Sequence, residues 1–198
     1  MGLKGEVIYG QMPLTGDEYE GLKIASVSTR GELDEFEQKN IETAVGWSLH
    51  QKFTVERVLS LEFVQELHRR MFSEVWTWAG SFRTTNKNFG VDKYYIAQEL
   101  KALIDDCQFW VSNESYPPDE IAIRFKHRMV KIHPFPKGNG RHSRLCADIL
   151  VSQVLNQPVF TWGRFKSTQP GEQRKMYLNA IYAADAGDLK PLTEFARS

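Results

Sequence analysis

The sequence lacks a net charge, because its 25 Lys and Arg residues balance its 25 Asp and Glu residues. A chain without an excess of basic residues produces no overall field that would attract nucleic acid or an anionic membrane surface. We therefore expect neither nucleic acid nor a membrane among the partners of this protein. Any anion that it binds must be held by a local cluster of charges.

Cysteine is scarce, and long apolar runs are missing. The two cysteines, Cys107 and Cys146, both lie in apolar stretches that have helical spacing. Two buried thiols are the interpretation that we prefer, and a disulfide between them is the alternative. No apolar run approaches the roughly 18 to 20 residues of a membrane-spanning helix, and the first residues do not resemble a secretion signal. We expect a soluble protein of the reduced cytoplasm.

Signals for β-strands are also few. Apolar residues recur at helical spacing through most of the 198-residue chain, whose composition is that of an ordinary globular domain. The exception is 81–95, where turn formers mix with aromatic and β-branched residues, a composition that predicts a short β-hairpin. The sequence thus predicts an all-α fold with one hairpin, in a single domain over 1–198. We expect 1–32 to form an irregular arm and Pro191 to introduce a short tail.

One segment, 133–144, combines several features of an anion site between two predicted helices. Gly138 and Gly140 permit positive φ and leave space for a ligand beside the main chain. Because they stand at the start of the second helix, the main-chain N–H groups there form an anion nest. Arg141 and Arg144 lie one turn apart on that helix and suit a polyphosphate.

His133 ends the preceding helix, and Pro134 restricts its direction. An imidazole beside bound phosphate is well placed to take a proton from an attacking hydroxyl. Taken singly, a histidine before proline, a Gly-Asn-Gly turn and two arginines are more often structural than functional. Their combination within one segment predicts a phosphoryl- or nucleotidyl-transfer site.

The segment resembles the signature of the Fic family, His-x-Phe-x-Asp/Glu-Gly-Asn-Gly-Arg-x-x-Arg. The matching residues are His133, Phe135, Gly138, Asn139, Gly140, Arg141 and Arg144. Segments 78–80, 83–84 and 177–188 also resemble the family, so the likeness covers most of the chain. The order of residues in 136–144 most resembles a bacterial subgroup known as mobile mystery protein B.

The resemblance implies a protein adenylyltransferase with an all-helical Fic fold and ATP as its substrate. His133 would deprotonate a Ser, Thr or Tyr hydroxyl of a target protein, AMP would be transferred, and pyrophosphate would be released. Arg141 would bind near the β-phosphate and Arg144 the γ-phosphate, whereas Phe135 would anchor the loop in the core. The nucleotide would lie against Phe135, Lys137, Gly138, Asn139, Gly140, Arg141 and Arg144.

The resemblance also assigns 81–95 to the flap that aligns a target's backbone by strand addition. The target-binding residues of the flap would be Thr84, Thr85, Asn86, Lys87, Asn88 and Phe89. The alternative is a loop without a function. His127, His133 and His142 match no zinc-binding pattern, so we expect no metal ligand from the histidines.

Lys137 departs from the signature, since the family usually carries Asp or Glu there to hold Mg²⁺. An ammonium group cannot ligate a metal and repels it. Lys137 could neutralise the phosphates itself, Mg²⁺ could be held by phosphates and waters alone, or transfer could be crippled. A side chain turned to solvent is a further alternative. We favour a retained nucleotide site with altered metal dependence.

Many members of the family are inhibited by a Glu in a Ser/Thr-x-x-x-Glu-Gly/Asn helix, which pairs with the second motif arginine. Glu32 at the end of 28–32 has this spacing, although Leu33 replaces the final Gly or Asn, and 168–172 fits only the spacing. Glu32 is our candidate inhibitory residue, and an acidic residue at a helix N-terminus is the alternative. A small antitoxin-like inhibitor protein is a further candidate partner.

Two other functions stay open. Some relatives in the family transfer a phosphate or phosphocholine in place of AMP, on the same fold. A degenerate site that only binds nucleotide or a protein is the other alternative, which Lys137 favours and His133 opposes.

Overall fold

A computed structural model describes residues 16–164 and 170–198. The first part of the expected arm, 1–15, and part of the segment 168–172 lie outside the described residues. The described chain is built from helices, which confirms the all-α prediction. The helices are α1 Gly16–Glu20, α2 Arg30–Leu49, α3 Val55–Val58, α4 Leu61–Phe72, α5 Ile96–Ser112, α6 Pro118–Ile132, α7 Asn139–Ile149, α8 Pro170–Asp185 and α9 Lys190–Ala196. A 3₁₀ turn at Lys93–Tyr95 precedes α5, and a π-helical turn at Leu150–Val154 follows α7.

Hydroxyl side chains fix the starts of the first three helices after α1. Thr29 accepts a hydrogen bond from the amide of Glu32 in a capping box that begins α2. Thr54 and Ser60 cap α3 and α4 in the same way, through the amides of Arg57 and Phe63. These caps satisfy amides that have no partner within their own helix.

The core lies among α4, α5, α6 and α7, and α2 packs on the outer side of α4. α8 and α9 pack on each other, and α9 also contacts α6. The largest fully buried side chains include Trp76, Phe63, Phe72, Phe125 and Phe135. Because Phe135 belongs to the loop between α6 and α7, that loop is anchored in the same core as the helices.

The predicted hairpin is wrong, and the structure adds detail to two other predictions about local structure. Residues 81–92 form a loop without strands, and the β-pairing of the described residues is limited to isolated bridges such as the one between Leu22 and Trp76. The expected irregular arm includes α1 and the start of α2 at Arg30. Pro191 lies in the first turn of α9, where its missing N–H costs no hydrogen bond, so the expected tail is helical.

The two cysteines are free and buried, as predicted. Burial raises the pKa of the Cys107 thiol to about 12, so this thiol is protonated at neutral pH. Among the helices of the described residues, none combines the length and the apolarity that crossing a bilayer requires.

Candidate nucleotide-transfer site

The loop between α6 and α7 is bounded by two residues with positive φ. His133 closes α6 in the left-handed region, at φ 55° and ψ 60°, and Gly138 precedes α7 at φ 83°. A Cβ atom on Gly138 would lie 2.4 Å from Cζ of Phe72. Glycine is therefore required at 138 for both its conformation and the space that it leaves.

Side chains from inside the loop hold its shape. Phe135 is fully buried, and its ring stacks on His68 of α4 with 3.7 Å between centroids. The Asn139 side chain accepts from the Phe135 amide at 3.0 Å and donates to the Phe135 carbonyl at 2.8 Å. Asn139 is thus turned toward the loop, and its main-chain amide, at the start of α7, is the group directed to a ligand.

His68 joins the loop to the segment after α4. Its Nε2 donates to the Lys137 carbonyl at 3.0 Å, and its Nδ1 accepts from the Gly80 amide at 3.0 Å. This pair of bonds requires a neutral ring with the proton on Nε2. Burial, together with the neighbouring His142, holds the pKa of His68 well below its usual value, which keeps the ring neutral.

A pocket of about 1020 Å³ opens beside the start of α7. The first turn of a helix presents amides without helical partners, which favours a bound anion. At Gly140 an added Cβ would contact only the hydroxyl of Tyr177, at 4.0 Å. The main chain at Gly140 therefore faces open pocket, and a ligand can approach it closely.

Three arginines line this pocket, Arg141 and Arg144 from α7 and Arg174 from α8. Arg144 lies over the ring of Tyr177, with 5.5 Å from Cζ to the centroid. Burial and the charge of Arg144 lower the pKa of Arg174, so the positive charges repel one another. A polyanion in the pocket would relieve this repulsion. The sequence did not predict Arg174, because only the packing of α8 brings it to α7.

A buried carboxylate lies beneath the pocket. Glu37 of α2 is fully buried, and its Oε2 accepts from Arg141 at 2.6 Å. Its Oε1 accepts from Lys137 Nζ at 2.7 Å and from Trp76 Nε1 at 2.7 Å. Burial alone would raise the pKa of Glu37, but Arg141 and Lys137 lower it below its ordinary value. Glu37 is therefore ionised and shared by two cations.

His133 lies at the other side of the same pocket, under residues 89 and 90. The ring of Phe89 meets the imidazole edge-on, with centroids 4.4 Å apart, and Nδ1 of His133 is buried without a hydrogen-bond partner among the described residues. Burial, helped by the Arg83 guanidinium, lowers the pKa of His133 to about 4. The imidazole is therefore neutral at physiological pH and able to accept a proton.

Comparisons with known proteins agree with this geometry. The model of the Fic/DOC family matches residues 58–151, which include the whole of the loop, α7 and Lys137. The chain contains a Fic/DOC family domain. The domain is 30% identical to the protein adenylyltransferase fic-1 of Caenorhabditis elegans over 69% of this chain, and 31% identical to the protein adenylyltransferase Fic of Drosophila grimshawi over 75%. The chain spans only 26% and 29% of these relatives.

Solved structures show the same fold. Fic-1 of C. elegans (residues 134–508) superposes with a TM-score of 0.64 at 23% identity, over 90% of this chain and 50% of that one. BepC of Bartonella tribocorum, solved with bound AMPPNP, gives 0.68 at 16% identity over 92% and 97%. An N-terminal Fic domain of Bartonella quintana with bound ADP gives 0.69 at 16% identity over 91% and 94%.

The loop that the sequence assigned to the flap of the Fic/DOC domain is tied to the active-site loop by Arg83. Arg83 Nε donates to the His133 carbonyl at 2.7 Å, its Nη1 donates to the Thr85 carbonyl at 2.9 Å, and its Nη2 donates to the Val91 carbonyl. The Arg83 amide also donates to the Pro134 carbonyl at 2.9 Å. These bonds replace the strand pairing that the sequence predicted, and they leave Phe89 over His133.

The predicted flap residues are mostly on the surface. Thr84, Asn86, Asn88 and Phe89 are exposed, whereas Thr85 and Lys87 are half-buried.

The candidate inhibitory residue Glu32 lies in the first turn of α2. Its Oε2 accepts from the amides of Ser28 and Thr29, at 2.8 and 3.0 Å, in the capping box of α2. These bonds fit the alternative, an acidic residue at a helix N-terminus, and inhibition through Glu32 stays a prediction. The carboxylate that reaches a motif arginine is Glu37, and it pairs with the first arginine of the motif, Arg141.

Glu37 is the main residue that the sequence did not predict. A signal for it exists, because the buried residues of α2 follow a helical period at Leu33, Glu37, Asn40, Ala44 and Ser48. An acidic residue within such a stripe must find a charged partner in the interior. The sequence does not say which cation that partner is.

Proposed function

We propose that the protein transfers AMP from ATP to a Ser, Thr or Tyr hydroxyl of a target protein. One observation carries the proposal: a neutral imidazole, a helix N-terminus with an accessible glycine, and three arginines face one pocket. The two relatives described above carry the name protein adenylyltransferase, and two structures of the same fold hold AMPPNP and ADP. The pocket is large enough for a nucleoside triphosphate.

In this proposal the chain's own residues divide the chemistry between them. His133 takes the proton of the target hydroxyl, whose oxygen attacks the α-phosphorus of ATP. The new oxygen–phosphorus bond forms as the bond to the bridging α–β oxygen breaks, and pyrophosphate carries away the electron pair. The amides at the start of α7 and the guanidinium groups of Arg141, Arg144 and Arg174 stabilise the charge that develops on the phosphates.

Target recognition is assigned to the loop from Thr84 to Phe89, which lies next to His133. Its exposed side chains can contact an extended segment of a target, and the ring of Phe89 restricts access to the imidazole. The loop contains no strand on which a target could add another strand. Side chains and main-chain groups of the loop must therefore supply the target's alignment.

A protein-held Mg²⁺, which the family usually has, does not fit the residues of this site. Lys137 stands where the family places an acidic ligand, and it is a cation. Both oxygens of Glu37, the carboxylate that pairs with Lys137, already accept hydrogen bonds from Lys137, Arg141 and Trp76. The steps above therefore use no metal ion.

A nucleotide-binding module with slow or no transfer is the second candidate function. The observation in its favour is the ion pair between Glu37 and Arg141. The Glu37 carboxylate competes with a phosphate for the Arg141 guanidinium. Transfer of a phosphate or phosphocholine on the same fold is a third outcome of the test below.

Three finer assignments belong to the same proposal. We place the chain in the mobile mystery protein B subgroup on the order of residues in 136–144. A reduced cytoplasmic setting fits the free thiols Cys107 and Cys146. A small inhibitor protein that covers Arg141 and Arg144 would supply regulation of the site.

The test is to incubate the full chain with ATP and a cell lysate, and to measure the mass added to modified peptides. We expect the mass of AMP on a hydroxyl side chain, and no modification by His133→Ala that still binds nucleotide. Binding by both forms without any adduct would favour the second candidate. The mass of a phosphate or phosphocholine would identify a different transfer.

A further inference from the structure

The charge arrangement around Lys137 differs from a solvated surface lysine. Its side chain is only 14% exposed, lines the pocket, and donates to a carboxylate that is 0% exposed. The ammonium group lies 5.6 Å from the centroid of the Trp76 ring, which also favours a cation. The carbonyl of Lys137 is fixed by His68. Both ends of this residue are therefore held in place.

Glu37 makes this burial possible. Burial lowers the pKa of Lys137, but the carboxylates of Glu37 and of the pocket-lining Asp34 oppose the decrease. One carboxylate faces two cations, so the group of Glu37, Lys137 and Arg141 carries one positive charge in excess. A lysine ammonium has three N–H donors. One of them points to Glu37, so the others can reach oxygens of a ligand in the pocket.

We propose that Lys137, positioned by Glu37, supplies at the phosphates the positive charge that a divalent cation supplies elsewhere in the family, so that nucleotide binding needs no metal. Glu37 is then a positioning residue for Lys137, which lies one hundred residues away from it in the sequence. The inference rests on the proposed function in one respect, namely that this pocket binds a nucleoside triphosphate.

A tethered lysine has a physical advantage over a free one at this position. An isolated lysine side chain loses much rotamer entropy when it is fixed on a ligand. Here Glu37 and Trp76 fix the side chain before the nucleotide arrives, so less of that cost falls on binding. The same carboxylate also prevents two neighbouring cations from repelling each other in a buried site.

The experiment is calorimetric titration of AMPPNP into the full chain, in EDTA and in excess Mg²⁺. For the native chain we expect dissociation constants that agree within about threefold between the two conditions. Lys137→Gln should weaken binding in EDTA by about tenfold or more, the scale of a lost charge-assisted hydrogen bond. Lys131→Gln is the matched control, because Lys131 also lines the pocket but is exposed, and it should change affinity less than threefold.

The role of Glu37 is tested by a double-mutant cycle with isosteric changes. Glu37→Gln should weaken binding in EDTA, and the double variant with Lys137→Gln should be no weaker than Lys137→Gln alone, because Glu37 acts through Lys137. Glu37→Asp should recover part of the affinity. Thermal melts check that each variant is folded, and the double variant avoids leaving a buried lysine without its carboxylate.

Each outcome of these AMPPNP titrations supports or overturns the inference. A native chain that binds AMPPNP at least tenfold more weakly in EDTA than in Mg²⁺ overturns the inference and leaves the proposed transfer intact. Tighter binding by Glu37→Gln shows that Glu37 competes with phosphate, and overturns its positioning role. Absence of binding in both conditions overturns this inference and the proposed function together. Metal-independent binding without AMP transfer supports the inference and overturns only the proposed transfer.

Discussion

Gly140 offers the most selective test of the anion nest. Its Cβ position is open except for the Tyr177 hydroxyl at 4.0 Å, so Gly140→Ala fits the fold. Alanine in a helix is favoured over glycine by about 0.5 to 1 kcal/mol, so the melting temperature should rise by roughly 2 °C. The added methyl group projects into the pocket. Affinity for AMPPNP should therefore fall by about tenfold or more, as a charge-assisted hydrogen bond is lost.

The control for this change is Gly46→Ala in the middle of α2, where an added Cβ has no atom within 4 Å. It should raise the melting temperature by a similar amount and leave the affinity for AMPPNP unchanged. Unchanged binding by Gly140→Ala, measured by calorimetry, would remove the main chain of α7 from the phosphate site.

The burial of His133 predicts an unusual pH dependence. Because its pKa is lowered to about 4, the basic form persists well below the pH at which an ordinary imidazole is protonated. We expect kcat/KM for the target to stay within about twofold between pH 8 and pH 5.5. With a catalytic base whose pKa is about 6.5, kcat/KM would fall roughly tenfold over the same range. Nucleotide affinity measured at the same pH values separates binding from catalysis.

Phe89→Ala is the companion variant, since the Phe89 ring packs on the imidazole. Removing the ring admits water, so the acidic limb of the profile should move to higher pH. A native profile that already declines near pH 6.5 would show that the imidazole is not buried during catalysis.

The loop over 81–92 depends on Arg83, a single buried side chain that donates to carbonyls on both sides of it. Arg83→Lys keeps the charge but cannot bridge the His133, Thr85 and Val91 carbonyls together. We expect target modification to fall by about tenfold or more, with unfolding free energy reduced by about 1 to 3 kcal/mol from unpaired carbonyls. AMPPNP affinity should change less than threefold, because the nest lies on α7.

Hydrogen exchange localises this effect, and amides in 84–92 should exchange faster in Arg83→Lys. Arg128→Lys serves as the control, because Arg128 pairs with Asp106 at the surface, where such a pair contributes little. Equal loss of modification in both variants would contradict a specific role for Arg83.

At the level of whole elements, the sequence could predict most of the helices and the active-site loop. The apolar periods indicate most of the helices, because helical spacing is a local signal. The hairpin prediction was wrong because the amino-acid composition of the segment cannot show that one arginine donates hydrogen bonds to the carbonyls of residues 85 and 91. Glu37 was missed because its partner Lys137 is reached only when α2 packs against α4.

The stability of the whole molecule should depend on its buried histidines. His142 is fully buried, its Nε2 donates to the Val64 carbonyl at 2.9 Å, and burial lowers its pKa to about 4. Between pH 6.5 and pH 4 the unfolded chain binds a proton at this site that the folded chain does not, so stability falls as the pH falls through this window. At pH 5 one such histidine costs about 2 kcal/mol.

Urea unfolding of His142→Gln tests this contribution, because Gln can donate to the same carbonyl but does not titrate. Its loss of unfolding free energy between pH 7.5 and pH 5 should be smaller than the native loss by about 2 kcal/mol. Asp148 acts in the opposite direction, since burial raises its pKa to about 6. An identical loss in His142→Gln would contradict the account.

The central claim is that His133, the nest and the arginines move the α-phosphoryl group of ATP to a protein. The most direct measurement compares ATP labelled at the α-phosphate with ATP labelled at the γ-phosphate, in a lysate with the native chain or with His133→Ala. We predict that the native chain adds α label, and no γ label, to protein above the level that His133→Ala gives in the same lysate. Transfer of the γ label, or an α label that persists with His133→Ala, would contradict the account.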